Sequence, residues 1–327
     1  MNKILVTGAT GFIGGNLVSA LAQEGYKVRC LVRKNSRLDF VTPFSPEFFP
    51  GDITDIRTLT KSVEGIDAVI HCAGVTRAKG AAEYYRINED GSRNLYETCH
   101  KTNPGLGRIV HIGSLAGIGP SQDGEPVTEE TLPNPISDYG KSKLAGQRIA
   151  ESFMSRLPIC ILMPPAVYGP MDRDFLAYFK MIKRGFRPML GKNTRWFSLI
   201  HVKDFARAVL ACLKDKRSIG RSYLLSDNET QSWESMTGTL SRVMGKTPLV
   251  IHIPEKMARG LAFWSEGIAR FIGKGPLLTP QKMNEFLQDA WVCSSSRIRE
   301  ELGFCTVYSL ERGLRETLDW YVANQWL

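Results

Sequence analysis

The stretch Ile4-Leu5-Val6-Thr7-Gly8-Ala9-Thr10-Gly11-Phe12-Ile13-Gly14-Gly15 runs an apolar segment straight into a cluster of glycines. The apolar run has the look of a buried parallel strand, and after the cluster Phe12, Ile13, Leu17, Val18 and Leu21 recur at helical spacing. The glycines therefore stand at a strand-to-helix junction, where exposed backbone amides and the positive end of the helix dipole face outward together. Glycine is also the default residue of a bare tight turn, so the cluster alone decides nothing. With strand and helix both in place, the reading is a dinucleotide pyrophosphate seat. Gly8, Gly11 and Gly14 are spaced G-x-x-G-x-x-G, one residue wider at the start than the better-known fingerprint.

Beyond this junction strand-like and helix-like runs alternate. Val28 to Val32, Glu47 to Phe49, Asp67 to Ala73, Arg108 to Gly113 and Ile159 to Met163 are expected as strands, and the regions Ile56 to Val63, Tyr84 to His100 and Tyr139 to Phe153 as helices. Alternation of this kind implies an α/β fold, a doubly wound parallel sheet with helices on both faces. After Pro164-Pro165 the rhythm loosens and longer helices take over. No linker or repeat separates the halves, so a second lobe is expected to pack on the first.

The chain of 327 residues is long enough for such a sheet. It contains no run of 18 or more apolar residues, so no bilayer-spanning segment is expected. A secretory leader is not visible, and the seven cysteines form no C-x-x-C pair, which fits reduced, mostly buried thiols in a cytoplasmic protein. The five histidines show no metal-ligand spacing. The net charge of +9 is spread along the chain, which favours an anionic small molecule over nucleic acid as its partner. One segment stands apart. In Glu255 to Lys274 the residues Met257, Leu261, Trp264, Ile268 and Phe271 share one helical face. Amphipathic helices usually face a core, so a lid or core helix is expected, with a membrane-surface helix as the alternative.

The end of the second strand bears on which dinucleotide binds. An NAD site usually offers a carboxylate to the ribose hydroxyl, whereas an NADP site offers arginine to the 2′-phosphate. Here Arg33, Lys34 and Arg37 come before any acid, the first being Asp39, so NADP is expected, with NAD as the alternative. The chemical signal is Tyr139-Gly140-Lys141-Ser142-Lys143, preceded by Ser114 at a strand end. Four residues apart on a helix, Tyr139 and Lys143 share a face. The ammonium is expected to pull the phenol toward neutrality and make it a usable acid or base, and Ser114 to hold a substrate carbonyl oxygen.

These residues together resemble the extended short-chain dehydrogenase/reductases, the NAD-dependent epimerase/dehydratase family, and the resemblance covers nearly the whole chain. Its motifs are "TGATGFIG", "GDITD" (Gly51 to Asp55), "HCAG" (His71 to Gly74), "INEDGSRNL" (Ile87 to Leu95), "YGKSKLAGQ", "PPAVYGP" (Pro164 to Pro170) and "SLIHVKDFARA" (Ser198 to Ala208). The resemblance implies Ser114, Tyr139 and Lys143 as the catalytic set. It also implies a cofactor held by Gly8, Thr10, Gly11, Phe12, Ile13 and Gly14 of the loop, Asp52 and Ile53 at the adenine side, Ala73 and Gly74 along the phosphate and ribose, Asn88, Tyr139 and Lys143, and Pro164, Ala166 and Val167 at the nicotinamide, while Arg33 is expected at the 2′-phosphate. It further implies a Rossmann domain (1–165 plus about 198–225) interleaved with a smaller substrate lobe (166–197 and 226–327), and a homodimer packed through the helices near Tyr84 to His100 and Tyr139 to Phe153.

Departures from the family pattern narrow the reaction. Sugar 4,6-dehydratases resemble each other in an Asp-Glu pair just after the serine, where this chain has Leu115-Ala116-Gly117, so dehydration is not expected. Arg195 lies two residues further from Val202 than the diphosphate-gripping arginine of nucleotide-sugar epimerases, which leaves Lys192 and Arg187 as candidates for that role. The ending "LGFCTVYSLERGLRETLDWYVANQWL" resembles the hydroxysteroid dehydrogenase and dihydroflavonol reductase branch, and Trp196, Phe263, Trp264, Phe271 and Phe286 are candidates for an apolar pocket or for ordinary core. The expectation is therefore an NADP-linked oxidoreductase acting on the carbonyl or secondary alcohol of a hydrophobic small molecule. A nucleotide-sugar epimerase with tightly held NAD is the alternative. A non-catalytic dinucleotide sensor would not need Ser114, Tyr139 and Lys143 together.

Overall fold

A computed structural model describes all residues but Asp123, Asn228 and 272–278, and of 266–271 the backbone alone. Alternating apolar residues build the centre. Strands β1 (Lys3–Thr7), β2 (Lys27–Val32), β3 (Glu47–Pro50), β4 (Ala68–His71), β5 (Arg108–Ile112) and β6 (Ile159–Met163) join a later strand in one parallel sheet. Because strand side chains alternate, Ile4 and Val6 pack into the core on one face and Leu5 into the core on the other. Both faces are covered by helices. On the first lies α1 (Phe12–Gln23). On the second lie α2 (Thr60–Val63), α3 (Ala81–Tyr85), α4 (Gly91–Thr102), the short α5 (Leu115–Ile118) and α6 (Asp138–Phe153).

After β6 the chain forms β7 (Ala166–Tyr168), α7 (Arg173–Lys183), β8 (Phe186–Leu190), β9 (Trp196–Phe197) and β10 (Leu199–His201). It then returns through α8 (Val202–Lys214), which packs on α1, to β11 (Ser222–Leu224), the seventh strand of the sheet. The remainder comprises β12 (Gln231–Ser232), α9 (Trp233–Val243), β13 (Leu249–Ile253), α10 (Glu255–Phe271), α11 (Pro280–Phe286), β14 (Ala290–Trp291), α12 (Ser296–Leu302) and α13 (Leu310–Ala323). A third core of Tyr168, Phe175, Phe179, Leu240, Leu314 and Tyr321 holds this part together.

The sheet order β11-β6-β5-β4-β1-β2-β3 reverses direction between β1 and β4. That reversal opens a crevice beyond the carboxyl ends of the strands, and the glycine loop at the end of β1 sits at its edge. The helix expected over Tyr84 to His100 is instead broken into α3, a π-turn over Arg86–Asp90, and α4. The expected Ile56 to Val63 helix is a 3₁₀ turn (Ile56–Thr58) followed by α2. The second half also carries three small sheets of two or three strands that a helical reading did not foresee. Five of their seven strands have only two or three residues, too short to register as a period. Among the described residues no helix is long and apolar enough to cross a membrane, and no His, Cys, Asp and Glu group is arranged to hold a metal ion.

Candidate active site

The turn after β1 is built so that only glycine fits it. Gly8 has a left-handed φ of 69°, and a Cβ there would stand 2.7 Å from the Ala73 nitrogen. A Cβ on Gly14 would stand 2.1 Å from the Gly8 carbonyl oxygen, so this glycine is what lets α1 start directly against the strand end. Gly11 is the N-cap of α1 and supplies no side-chain cap, while Thr10, Phe12 and Ile13 form a partly exposed rim. The first amides of α1 are thus left for an anion, and the bare cradle fits a pyrophosphate.

Most of the other expected cofactor residues follow the carboxyl ends of sheet strands, Arg33 after β2, Asp52 and Ile53 after β3, Ala73 and Gly74 after β4, and Pro164 after β6. Arg33, Lys34 and Arg37 are exposed just past β2, in a turn closed by the Ser36 amide donating to the Arg33 carbonyl. Asp52 accepts from the Thr54 amide and hydroxyl, both at 2.9 Å, which shapes the turn after β3. Ile53 is buried against Gly91, and its carbonyl accepts from Asn94 Nδ2 at 2.9 Å. The Ala73 amide donates to Thr7 Oγ1 at 3.1 Å. Gly74 passes between Asn88 and Lys143, with room for a Cβ only 3.1 Å from Asn88 Oδ1 and 3.8 Å from Lys143 Nζ. Pro164 is buried and its carbonyl accepts from the Leu115 amide at 2.9 Å, while Ala166 is exposed and Val167 half-buried on β7.

Ser114 and Tyr139 are brought near each other because the short α5 packs at backbone distance on α6. Ser114 caps α5, its Oγ accepting from the Ala116 amide at 3.1 Å. Tyr139 lies in the first turn of α6, which is capped by Ser137. A Cβ on Gly140 would be 2.4 Å from the Ala116 oxygen, and one on Gly146 would be 2.3 Å from the Asn88 oxygen. These two glycines of "YGKSKLAG" therefore let α5 and the π-turn dock on α6, which sets Tyr139 close enough to Ser114 for the serine to act on its phenol. The π-turn aims Asn88 inward, where Nδ2 donates to Ser142 Oγ at 2.8 Å and Oδ1 accepts from the Val75 amide at 2.9 Å.

The electrostatics differ from expectation. Burial pushes the Tyr139 phenol up to about 12, and the neighbouring Ser114 only partly opposes it. Lys143 does not draw the phenol down toward neutrality, because its Nζ donates to the Ile112 carbonyl at 2.6 Å and burial lowers the lysine itself to about 8. The ammonium is spent on the end of β5.

Behind these groups runs a buried polar chain that the motifs did not announce. Thr7 Oγ1 and His71 Nδ1 are 2.8 Å apart, His71 Nε2 and Ser92 Oγ 3.0 Å, and Ser92 Oγ donates to the Asn88 carbonyl at 2.7 Å. The chain ties the strand under the glycine loop to the π-turn. Burial, with a smaller push from Lys143, lowers His71 to about 3, so its ring is neutral. A signal was available, since "HCAG" begins with a histidine at the end of an apolar strand, where a polar side chain must find partners.

Of Arg195, Arg187 and Lys192, the first two turn out to be committed elsewhere. Arg195 is buried and donates to the Leu190 carbonyl at 2.7 Å and to Glu255 Oε1 at 2.5 Å, so it fastens the start of α10. Arg187 donates to Thr237 Oγ1 at 2.8 Å and to the Glu234 carbonyl at 2.6 Å on α9. Lys192 alone of the three is exposed. Phe286 packs near Trp233, Trp196 is half exposed, and Phe263 and Trp264 face solvent instead of lining a pocket. The side chain of Phe271 lies outside the described residues.

Comparison with known proteins bears on what this crevice serves. The chain is 29% identical to a ceramide reductase of Caulobacter vibrioides over 99% of its own length and 96% of the relative's. It is 26% identical to a 3 beta-hydroxysteroid dehydrogenase/Delta 5-->4-isomerase of Mycobacterium tuberculosis, across 99% of this chain and 91% of that one. Its fold matches a UDP-glucuronic acid 4-epimerase from Bacillus cereus in complex with NAD, with a TM-score of 0.77 at 24% identity, covering 98% of this chain and 99% of the other. The profile described as the NAD dependent epimerase/dehydratase family matches residues 4–225, and the chain belongs to that family.

Proposed function

We propose that the protein is an NADP-linked oxidoreductase that interconverts a carbonyl and a secondary alcohol on a hydrophobic small molecule. The observation that carries this reading is the packing of α5, which Ser114 caps, against α6, whose first turn holds Tyr139, with Lys143 of the same helix donating to the Ile112 carbonyl at the end of β5. The names of the relatives matched over nearly the whole chain, a ceramide reductase and a hydroxysteroid dehydrogenase, support an apolar substrate. Arg187 and Arg195 are occupied by protein partners, which speaks against a gripped sugar diphosphate.

In this reading Gly8 to Gly14 and the start of α1 hold the pyrophosphate, Arg33 meets the 2′-phosphate, and Ala73, Gly74, Asn88, Ala166 and Val167 border the ribose and nicotinamide. The dinucleotide, when bound, supplies or accepts the hydride. Ser114 Oγ holds the substrate oxygen, and Tyr139 Oη gives it a proton in the reductive direction or takes one in the oxidative direction. Lys143 is held one helical turn from the tyrosine by its bond to the Ile112 carbonyl and borders the nicotinamide ribose, and Asn88 fixes the π-turn that closes the back of the site.

The test is a mass spectrum of the nucleotide released by denaturing freshly desalted protein, counted per chain. A reductase must exchange its dinucleotide every turnover, so little nucleotide, or a trace of NADP, is expected. Stoichiometric NAD would overturn the proposal in favour of an epimerase, which keeps its cofactor through a closed hydride cycle.

A further inference from the structure

We propose that the face formed by β13 and the first three turns of α10 docks this protein onto the surface of an anionic lipid bilayer. The helix is mounted with its large apolar side chains outward. At 100° per residue, Met257, Leu261 and Trp264 fall within an arc of about 60°, and they are 53%, 55% and 71% exposed. What packs inward is the small pair Ala258 and Ala262, seated on Met283 with Leu190, Ile253 and Leu287 around them. Phe263 adds exposed apolar area on the helix, and on the neighbouring ribbon Leu249 and Ile251 are exposed on one face of β13 and Val250 on the other. Monomeric proteins rarely leave this much exposed apolar side chain in one region without a partner.

Charge decides which partner fits. Exposed Lys256 lies beside Phe263 on α10 and Arg259 just beyond it, Lys246 precedes β13, and Lys183 and Arg184 precede β8, the strand to which β13 is paired. From Met244 to Ser265 the only acid is Glu255, and its carboxylate is taken by Arg195. Tryptophan, phenylalanine and leucine ringed by lysine and arginine form the composition that lies in the plane of a negatively charged headgroup layer. A second copy of the chain fits worse, because a two-fold contact would set this basic rim against itself.

The face also reaches the catalytic helix through one intermediate. Met283 of α11 packs on α10, Glu285 accepts from Ser137 at 2.5 Å, and Gln281 Oε1 accepts from the Asp138 amide at 2.9 Å. A bilayer beneath α10 would thus stand one helix away from Tyr139, on a short path for an apolar substrate. The docking itself needs neither cofactor nor turnover, so it stands or falls apart from the proposed chemistry.

The experiment is flotation of the full chain with vesicles of phosphatidylcholine mixed with phosphatidylglycerol, and with vesicles of phosphatidylcholine alone. The expected result is that the protein floats with the anionic vesicles, is released by high salt, and stays down with the neutral ones. The double variant Leu261→Glu/Trp264→Glu should bind about tenfold or more weakly while keeping the parent's circular dichroism and melting curve. Should that variant misfold, Lys256→Gln/Arg259→Gln keeps the apolar arc and should still lose the salt-sensitive binding. Failure of the parent to float with anionic vesicles, or equal flotation by the well-folded variants, would overturn the proposal. So would a parent dimer that the double variant converts to monomer, since the face would then belong to a second copy.

Discussion

Around the glycine loop and along α10, apolar residues at helical spacing lead to opposite burial. On α1, Leu17, Val18 and Leu21 are almost fully buried against β1, β2 and α8, whereas on α10 Met257, Leu261 and Trp264 are more than half exposed. Periodicity reports that a helix has an apolar side, and what covers that side depends on how the helix is anchored. α1 is locked in place by its own first turn, where Gly14 crosses the Gly8 carbonyl at a distance no side chain tolerates. α10 is anchored by the Arg195–Glu255 pair and two alanines, and these turn its other side outward.

The comparison can be pressed hardest at the catalytic end of the anchored region. Tyr139→Phe removes the hydroxyl proposed to move the proton and leaves the glycine cradle untouched. Turnover with NADPH and a hydrophobic ketone should fall roughly 100- to 10,000-fold, while the dinucleotide dissociation constant, followed by nucleotide fluorescence, changes by no more than about twofold. Retention of most activity would remove the tyrosine from the proposed mechanism.

Next in size is Gly14→Ala. Its new methyl group would have to displace the Gly8 carbonyl, at a cost of about 3 kcal/mol in unfolding free energy, together with loss of dinucleotide binding. Urea denaturation and a nucleotide titration check both. A variant as stable as the parent would show that the loop yields, and that α1 is no more firmly fixed than α10. Arg33→Ala should act on one ligand only, weakening NADPH by about 1.5–3 kcal/mol and leaving NADH unchanged. Equal affinity losses for the two nucleotides would refute a 2′-phosphate contact.

Smaller still is an effect of pH carried by the buried chain between β1 and the π-turn. An unfolded histidine takes up a proton near pH 6.5, but buried His71 refuses it down to about pH 3. Between those values the unfolded state binds more protons, so this residue lowers stability as pH falls, by at most about 1.4 kcal/mol per pH unit. His71→Asn carries no such proton. The stability of the parent minus that of the variant should therefore shrink as pH drops through that window, and a pH-independent difference would mean that His71 is charged in the native chain. His111 and His201 are also held low by burial, while Asp172 and Asp227 are pushed up, to about 7 and about 8. Only the difference between parent and variant isolates His71 from them.

How much of this was legible in the residues follows from distance along the chain. The glycine loop, the alternating strands and the Tyr139 to Lys143 spacing are local patterns, and the parallel sheet and its switch point follow from them. The π-turn at Asn88 was not legible, because it depends on Gly146 admitting the Asn88 carbonyl from another helix. The destination of the Lys143 ammonium was hidden for the same reason, since its partner is a backbone carbonyl at the end of β5 and no side chain marks it. Short strands such as β9 and β14 pair across almost a hundred residues, beyond the reach of any local period. In α10 the pattern was read correctly as amphipathic, and only the side it presents to the protein was misjudged.

The last prediction concerns that side directly, and its expected size is close to zero. Trp264→Glu replaces the largest apolar side chain of α10 with a charge, a change that would be ruinous in a core. Because Trp264 is mostly in water and the helix is held through Ala258 and Ala262, the unfolding free energy should move by no more than about 0.5 kcal/mol. On α1 the milder Leu17→Ala should cost about 2–5 kcal/mol, since it opens a cavity in a filled core. Urea curves of the two variants side by side turn the contrast into a number. A Trp264→Glu penalty approaching that of Leu17→Ala would mean that α10 buries its apolar arc in solution, and the two regions would then differ in nothing but the glycine that starts one of them.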